Sequence, residues 1–380
     1  MATDEQTYQC AIIGGGLSGL CLAIQLADRD LSVIVFEKNE YPLHKVCGEY
    51  ISMESHDFLS NLGLPLKEWD LPYINQLGIS SEKGFMLNAP LDPGGFGISR
   101  FTLDNELCQL AVLKGVSVVQ HCKVQDAEKN EATNYTEIIT SKGTYKAQIV
   151  CGSYGKYTPA FIQEQLDYAS AKNSTNYIGV KYHIKTELAH NRIELHNFKN
   201  GYCGISKVDK DWYCLCYLSN ATNLQENGNN IQHMEEQVLY KNPFLKHYFT
   251  NSEFVNRKPL SISNIQFSKK QAHTDTILLL GDAAGSISPL CGNGMSMGMR
   301  ASKLLANEII DYFYNRRSRQ TLIANYDAAW NTTFNTRIKT GYYLQNLFGK
   351  KTMTHLTLKT LNKLPGLTKK IISLTHGTSF

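Results

Sequence analysis

The chain has 380 residues, of which 42% are hydrophobic and 19% charged, without low-complexity tracts or internal repeats, so a disordered or solenoid protein is excluded. Its net charge is +4, but six lysines (Lys350, Lys351, Lys359, Lys363, Lys369 and Lys370) lie in a stretch from Gln345 onward without Asp or Glu, which leaves residues 1–344 at −2. That distribution argues against a nucleic-acid-binding face on the main body.

Residues 8–13 read as a buried strand, 17–27 as a helix with apolar residues at helical spacing, and 31–36 as a second strand of Val, Ile and Phe. Together they form a βαβ unit. A loop-rich section follows, with one amphipathic segment at 52–62 and a β segment over 76–100. "ISRFTLDNELCQLAVLKG" then predicts a helix capped near Thr102 and ended by Gly115. Residues 117–120, 137–140 and 144–150 read as strands. Segments 177–185, 192–198, 202–208 and 212–218 are short, β-branched or aromatic, and are separated by the turn signals "KNG" and "DKD". They predict an antiparallel sheet inserted between parts of a nucleotide domain. "SNATNLQENGNN" reads as a linker. A helix, the glycine-rich stretch "GDAAGSISPLCGNGMSMG", a long helix over 295–314 and a helical C-terminal region complete the chain.

In "IIGGGLSG", Gly14, Gly16 and Gly19 fall in the G-x-G-x-x-G pattern directly after a strand and at the opening of a helix. Gly14 permits the tight turn, Gly16 lets a pyrophosphate approach the helix N-terminus, and Gly19 allows close helix-to-strand packing. Glu37, at the end of the second strand with Lys38 beside it, is placed to accept from adenosine ribose hydroxyls and to repel a 2′-phosphate. A dinucleotide site is the expectation. In the later glycine-rich stretch, Asp282 ends an apolar run and leads a loop that opens a helix. An acid there calls for a guest that offers hydroxyls.

The N-terminal fingerprint, "SRFTLDNELCQLA" and the late "GD" stretch together resemble the FAD-dependent oxidoreductases of the aromatic-hydroxylase and geranylgeranyl-reductase superfamily, over about residues 8–315. The resemblance implies an α/β fold: a Rossmann-like, three-layer FAD-binding domain in three parts (1–75, 101–165 and 271–315), an inserted antiparallel sheet for substrate (166–270, with 76–100 on the same side), and a C-terminal helical region (316–380) ending in a basic amphipathic tail. It implies FAD as cofactor, with Asp282 accepting from the ribityl hydroxyls and Pro289, Gly292, Gly294 and Met295 leading into a helix whose N–H groups face the isoalloxazine. Arg100 belongs by resemblance to the FAD contacts, and Val124 offers backbone contacts to adenine. In "HKVCGEYIS", Lys45 is placed to neutralise phosphate charge, Gly48 permits close approach, and Cys47 and Glu49 are candidates for the reaction cavity.

The chain also departs from the pattern. Aromatic hydroxylases commonly carry C-x-D-G-x-x-S-x-x-R, and the matching stretch is "CGSYGKYTPAF", with Tyr154 at the acid position and Phe161 at the arginine position. Tight NADPH use is therefore in doubt. Transient NAD(P)H, a separate flavin reductase or a quinol stay open as electron sources. Flavin-dependent halogenases carry W-x-W-x-I-P, and Trp69, Trp212 and Trp330 do not form it. Halogenation is not expected.

On the substrate side, Tyr177, Tyr182, Phe198, Tyr202, Cys203, Tyr213, Cys214 and Cys216 are expected to wall a pocket for a hydrophobic, ring-bearing or long-chain substrate. Tyr202 and His183 join Cys47 and Glu49 as catalytic candidates. No residues have metal-ligand spacing. The leading expectation is hydroxylation of a lipophilic phenolic or polyketide-like substrate by O₂ through a flavin C4a-hydroperoxide. The alternatives are reduction of an isoprenoid or similar lipid double bond, and a flavin-binding protein without its own catalysis. The ten cysteines show no C-x-x-C and follow no apolar leader, which suggests reduced thiols in a cytoplasmic protein. The lysine-rich tail, interleaved with Leu, Ile, Met and Phe, adds peripheral membrane contact as an alternative to plain packing on the body.

Overall fold

A computed structural model describes residues 7–130, 132–163, 176–265, 271–285 and 292–380. The first unit is β1 (Thr7–Ile13), α1 (Leu17–Ala27) and β2 (Val33–Phe36), whose strands run parallel with Cys10 beside Val33. A short β3 (Tyr50–Ser52) and α2 (His56–Leu62) lead to two long strands, β4 (Tyr73–Ser80) and β5 (Met86–Gly97). Helix α3 (Arg100–Leu113) starts one turn earlier than the sequence suggests, because Ser99 rather than Thr102 caps it: the Ser99 side chain accepts from the Thr102 N–H.

Strands β6 (Ser117–Val119), β7 (Val124–Asn130), β8 (Tyr135–Thr140) and β9 (Gly143–Gly152) follow, with a single helical turn, α4 (Ala160–Gln163), after them. The second half of the sheet set is β10 (Tyr177–Lys185), β11 (Arg192–Phe198), β12 (Gly201–Lys207) and β13 (Tyr213–Asn220). The asparagine-rich segment expected as a linker instead folds into α5 (Ala221–Glu226) and leads into α6 (Ile231–Gln237). Asn220 and Asn230 act as N-caps, each accepting a backbone N–H, so the residues that look like loop are helix starts. Then come α7 (Pro243–Asn251), β14 (Glu253–Phe254), β15 (Leu260–Ile265), β16 (Ile277–Leu279), α8 (Gly294–Tyr314), α9 (Arg319–Leu347), α10 (Lys351–Lys363) and α11 (Pro365–Thr375).

Two sheets result. The nucleotide-side sheet runs β6-β2-β1-β9-β8-β7. The far half of β9 pairs parallel with β16 where β8 has peeled away, so the late segment returns beside the first βαβ unit. Helices α1 and α8 pack together on this sheet, and α9 packs on α8. The second sheet runs β14-β10-β13-β12-β11-β4-β5-β3, with β15 also on β10. It is not wholly antiparallel: β11 and β4 pair parallel, which stitches the 73–97 strands to the inserted ones. Helices α5 to α7 cover one face of it around Tyr182, Phe198 and Tyr217. The other face looks toward the nucleotide domain, and α10 and α11 lie along β5.

Candidate active site

A cavity of about 1330 Å³ lies between the two sheets. Twelve of the residues singled out for cofactor contact line it: Gly14, Gly16, Glu37, Lys38, Lys45, Gly48, Arg100, Val124, Asp282, Gly292, Gly294 and Met295. Gly19 lies behind the lining, where a Cβ would come within 2.4 Å of the Gly14 carbonyl oxygen. Pro289 falls outside the described residues.

The nucleotide end is built by the βαβ unit. Gly14 has φ +103°, and its N–H donates to the Phe36 carbonyl at 2.9 Å, so the chain leaves β1 in a turn that side chains disfavour. Gly16 precedes α1 in extended conformation, with the position of an added Cβ 3.7 Å from Lys45 Nζ. Glu37 is buried; one carboxylate oxygen accepts from the Gly15 N–H at 3.0 Å and the other from the Asn39 N–H and side-chain amide at 3.0 and 2.9 Å. Arg100 and Lys45, both expected among the cofactor contacts, share one carboxylate. Arg100 forks onto Asp104 at 2.7 Å through both Nε and Nη2, and Lys45 Nζ lies 3.0 Å from the same side chain. Burial works against the Asp104 charge, but Arg100 and Lys45 outweigh it and hold this carboxyl below its usual range.

The middle of the cavity is crossed by residues 44–49. Glu49 is fully buried and has φ +57°, a left-handed conformation that costs a non-glycine residue roughly 1 kcal/mol or more. Its carboxylate accepts from the Arg100 N–H at 2.7 Å, pairs with Lys181, and lies 2.7 Å from His183 Nε2. Burial alone would raise the Glu49 pKa, but the hydrogen bond with His183 and the charge of Lys181 bring it below the usual value. Cys47 is half-buried, with Sγ 3.7 Å from the Met295 sulfur. His183 stacks on Trp212, 5.4 Å between centroids, and stands behind Glu49 rather than in the cavity lining.

Glu49, His183 and Cys214 bring three ligand-type atoms within 4.8 Å of one another. A metal cation there would meet the Lys181 ammonium already paired with Glu49, and burial pushes the Cys214 thiol well above its usual pKa, which disfavours the thiolate a metal would need. The cluster is a charge-compensated hydrogen-bonded group.

The apolar end consists of Leu77, Ile79, Leu87 and Leu91 of β4 and β5, Ile193 and Leu195 of β11, and Leu358, Leu361, Ile371 and Ile372 of α10 and α11. Tyr202 lines this part, its ring 6.5 Å from Phe348. Alternation fixes which predicted wall residues reach it. Cys216 of β13 faces the cavity, and Cys214 shares its side of the strand. Tyr182, Phe198, Cys203 and Tyr213 point to the opposite side and pack under α5 to α7. Those four are therefore core, not pocket wall. Tyr177 packs near Tyr202 and Ile265.

Lys181 was missed by the sequence reading. The available signal was "VKYHIK", in which Lys181 and His183 alternate onto one face of an otherwise apolar strand.

Residues 12–43 match the model of an NAD(P)-binding Rossmann-like domain. The chain is similar to conditioned medium factor receptor 1 of Dictyostelium discoideum, 25% identical over 369 residues that cover 87% of this chain and 69% of the relative. It is also similar to digeranylgeranylglycerophospholipid reductase of Methanococcus vannielii, 22% identical over 340 residues, covering 87% and 84% of the two chains. Among solved structures, a flavin-dependent brominase, Bmp2, superposes with a TM-score of 0.80 at 18% identity, covering 99% of this chain and 94% of that one. These likenesses show a Rossmann-like N-terminal unit within a two-sheet fold that is also the fold of a flavin-dependent brominase.

Proposed function

We propose that the cavity holds FAD at its glycine-lined end and a lipophilic substrate at its apolar end, and that the protein is a monooxygenase hydroxylating a phenolic or polyketide-like ring. The observation that carries this reading is continuity: the Gly14 and Gly16 turn, Asp282 and the Leu77 to Leu91 wall border one cavity. The residues present suit the cofactor. Gly16 leaves open a place at the N-terminus of α1 that a side chain would fill, Lys45 stands beside it, and Glu37 and Asp282 offer carboxylates for hydroxyls.

FAD supplies two-electron redox chemistry and a site for O₂. The chain's own residues do the rest. Lys45 and the α1 N-terminus attract the pyrophosphate, and the N-terminus of α8 at Gly294 favours negative charge on the ring edge. The apolar residues of β4, β5, β11, α10 and α11 orient a lipophilic guest and exclude water. Glu49 and His183 hold a proton between them at the edge of the cavity. Electrons come from transient NAD(P)H or a separate flavin reductase.

A second reading, reduction of a lipid double bond, is favoured by Cys47, whose half-buried thiol borders the cavity beside Met295. The two are separated by turnover of lipid phenols and of isoprenoid alkenes with reduced flavin, under isotope-labelled O₂ and without O₂. Labelled oxygen in the product supports hydroxylation. Saturated product formed anaerobically transfers the assignment to reduction, and no turnover of either class under either atmosphere counts against both.

The C-terminal helices add contact with a membrane surface to this reading. No helix among the described residues is long and apolar enough to cross a bilayer. Leu356 and Leu367, 59% and 45% exposed, lie on the same helices as the lysines and also line the cavity. A lipid substrate would thus meet an apolar rim flanked by positive charge.

A further inference from the structure

We propose that Lys181 is a positioning residue that sets the placement of Cys47 in the cavity. Lys181 sits in the middle of β10 and is 2% exposed. The strand register puts it opposite Cys216 and puts His183 opposite Cys214. From this one face the sheet grips alternate residues of the cavity loop. Lys181 Nζ donates to the Lys45 carbonyl at 3.1 Å, Cys214 Sγ donates to the Cys47 carbonyl at 3.2 Å, and Lys181 and His183 both engage the Glu49 carboxylate.

The other side of the loop is tied to the start of α3. The Arg100 N–H donates to Glu49 Oε1 at 2.7 Å, and the Ile98 N–H donates to the Glu49 carbonyl at 3.1 Å. Glu49 keeps its left-handed conformation between these ties. Lys181 is the member that holds two points of the loop at once, one by backbone and one by charge. Cys47 lies between those two points, and its sulfur is directed at Met295. An apolar side chain would fill the same volume without the cost of desolvating an ammonium, so what the buried pair contributes is geometry.

The inference rests on reading this cavity as the reaction site, but its test needs neither substrate nor turnover. The full chain as purified is alkylated with iodoacetamide, and each cysteine is followed by peptide mass mapping. In Lys181→Met the rate at Cys47 rises at least tenfold, while Cys10 and Cys151, buried in the nucleotide-domain core, keep their wild-type rates. A wild-type rate at Cys47 overturns the proposal. If all three rates rise together, the variant has lost its core, and the double variant Lys181→Met with Glu49→Gln, which removes both charges of the buried pair, decides the matter. There a rise confined to Cys47 supports the proposal, whereas a wild-type rate or a general rise overturns it. An absence of hydroxylation or reduction in the turnover assays would sink the functional reading and leave this result standing.

Discussion

Glu49 Oε2 lies 2.7 Å from His183 Nε2 across the boundary between the cavity loop and the second sheet, with the Glu49 side chain fully buried and that of His183 9% exposed. The contact joins a loop residue to a strand residue 134 positions later, so each fixes where the other can be.

Glu49→Ala leaves the buried Lys181 ammonium on the Lys45 carbonyl without its carboxylate and is expected to cost about 3 kcal/mol or more; Glu49→Gln costs less because it still accepts from the Arg100 N–H. Because the folded-state pKa of Glu49 is depressed, its stabilisation is present above the unfolded value of roughly 4.3 and is lost as pH falls through the lower folded value. Denaturant titrations from neutral pH downward should show this loss in the wild type and not in Glu49→Gln. Equal acid sensitivity in both would remove Glu49 as its source.

Glu235 behaves in the opposite way. It is buried against the hydroxyls of Tyr182 and Tyr217, and burial pushes its pKa up to about 7. The fold therefore favours the protonated acid, and stability is full below the unfolded pKa and declines as pH rises toward about 7, by on the order of 3 kcal/mol. Glu235→Gln should match the wild type at pH 5 and exceed it at pH 8 in thermal melts. A variant less stable than the wild type at pH 8 would refute the assignment.

Two glycines of the nucleotide turn should fail differently. A Cβ at Gly19 meets the Gly14 carbonyl oxygen at 2.4 Å and Ile12 at 3.1 Å, so Gly19→Ala is expected to destabilise the protein by about 1–3 kcal/mol. A Cβ at Gly16 has no neighbour closer than 3.7 Å, so Gly16→Ala should keep the apoprotein melting temperature and weaken FAD binding at least tenfold by filling the cradle. Flavin fluorescence titration beside apoprotein melting separates the two. Normal FAD affinity in Gly16→Ala would remove the pyrophosphate from that turn.

Charge reversal at Lys359, Lys363 and Lys370 tests the membrane contact. These side chains are exposed on α10 and α11, so melting temperature should not change. Sedimentation with anionic vesicles should weaken by roughly fivefold per lysine, and the effect should shrink in high salt. Unaltered vesicle binding in the triple variant would reduce the tail to a packing element.

The turn after β1 was legible because it is backbone geometry written in residue type: Gly14 takes a positive φ, Gly16 has room beside it, Gly19 packs against the Gly14 carbonyl, and Glu37 follows β2. Asp282, expected after an apolar strand, borders the same cavity. The substrate half was harder. Period two showed that Cys214 and Cys216 oppose Tyr213 and Tyr217, but not which side met the cavity, since that depends on where α5 to α7 and the nucleotide domain pack. The asparagines at 220 and 230 looked like loop because the same side chain that favours a turn also caps a helix. The C-terminal helices, expected to pack on the body or to touch a membrane, supply a cavity wall through Leu358 and Ile372, a partner surface that no local pattern encodes.

That wall has a consequence for the order of events during synthesis. Gly14 opens the cavity near the start of the chain and His376 borders it near the end. A nascent chain that has emerged as far as α8 can complete the nucleotide cradle while its far chamber stands open to water. Only when α10 and α11 have emerged and packed along β5 is that chamber walled, so the cavity needs segments from both halves of this sequence.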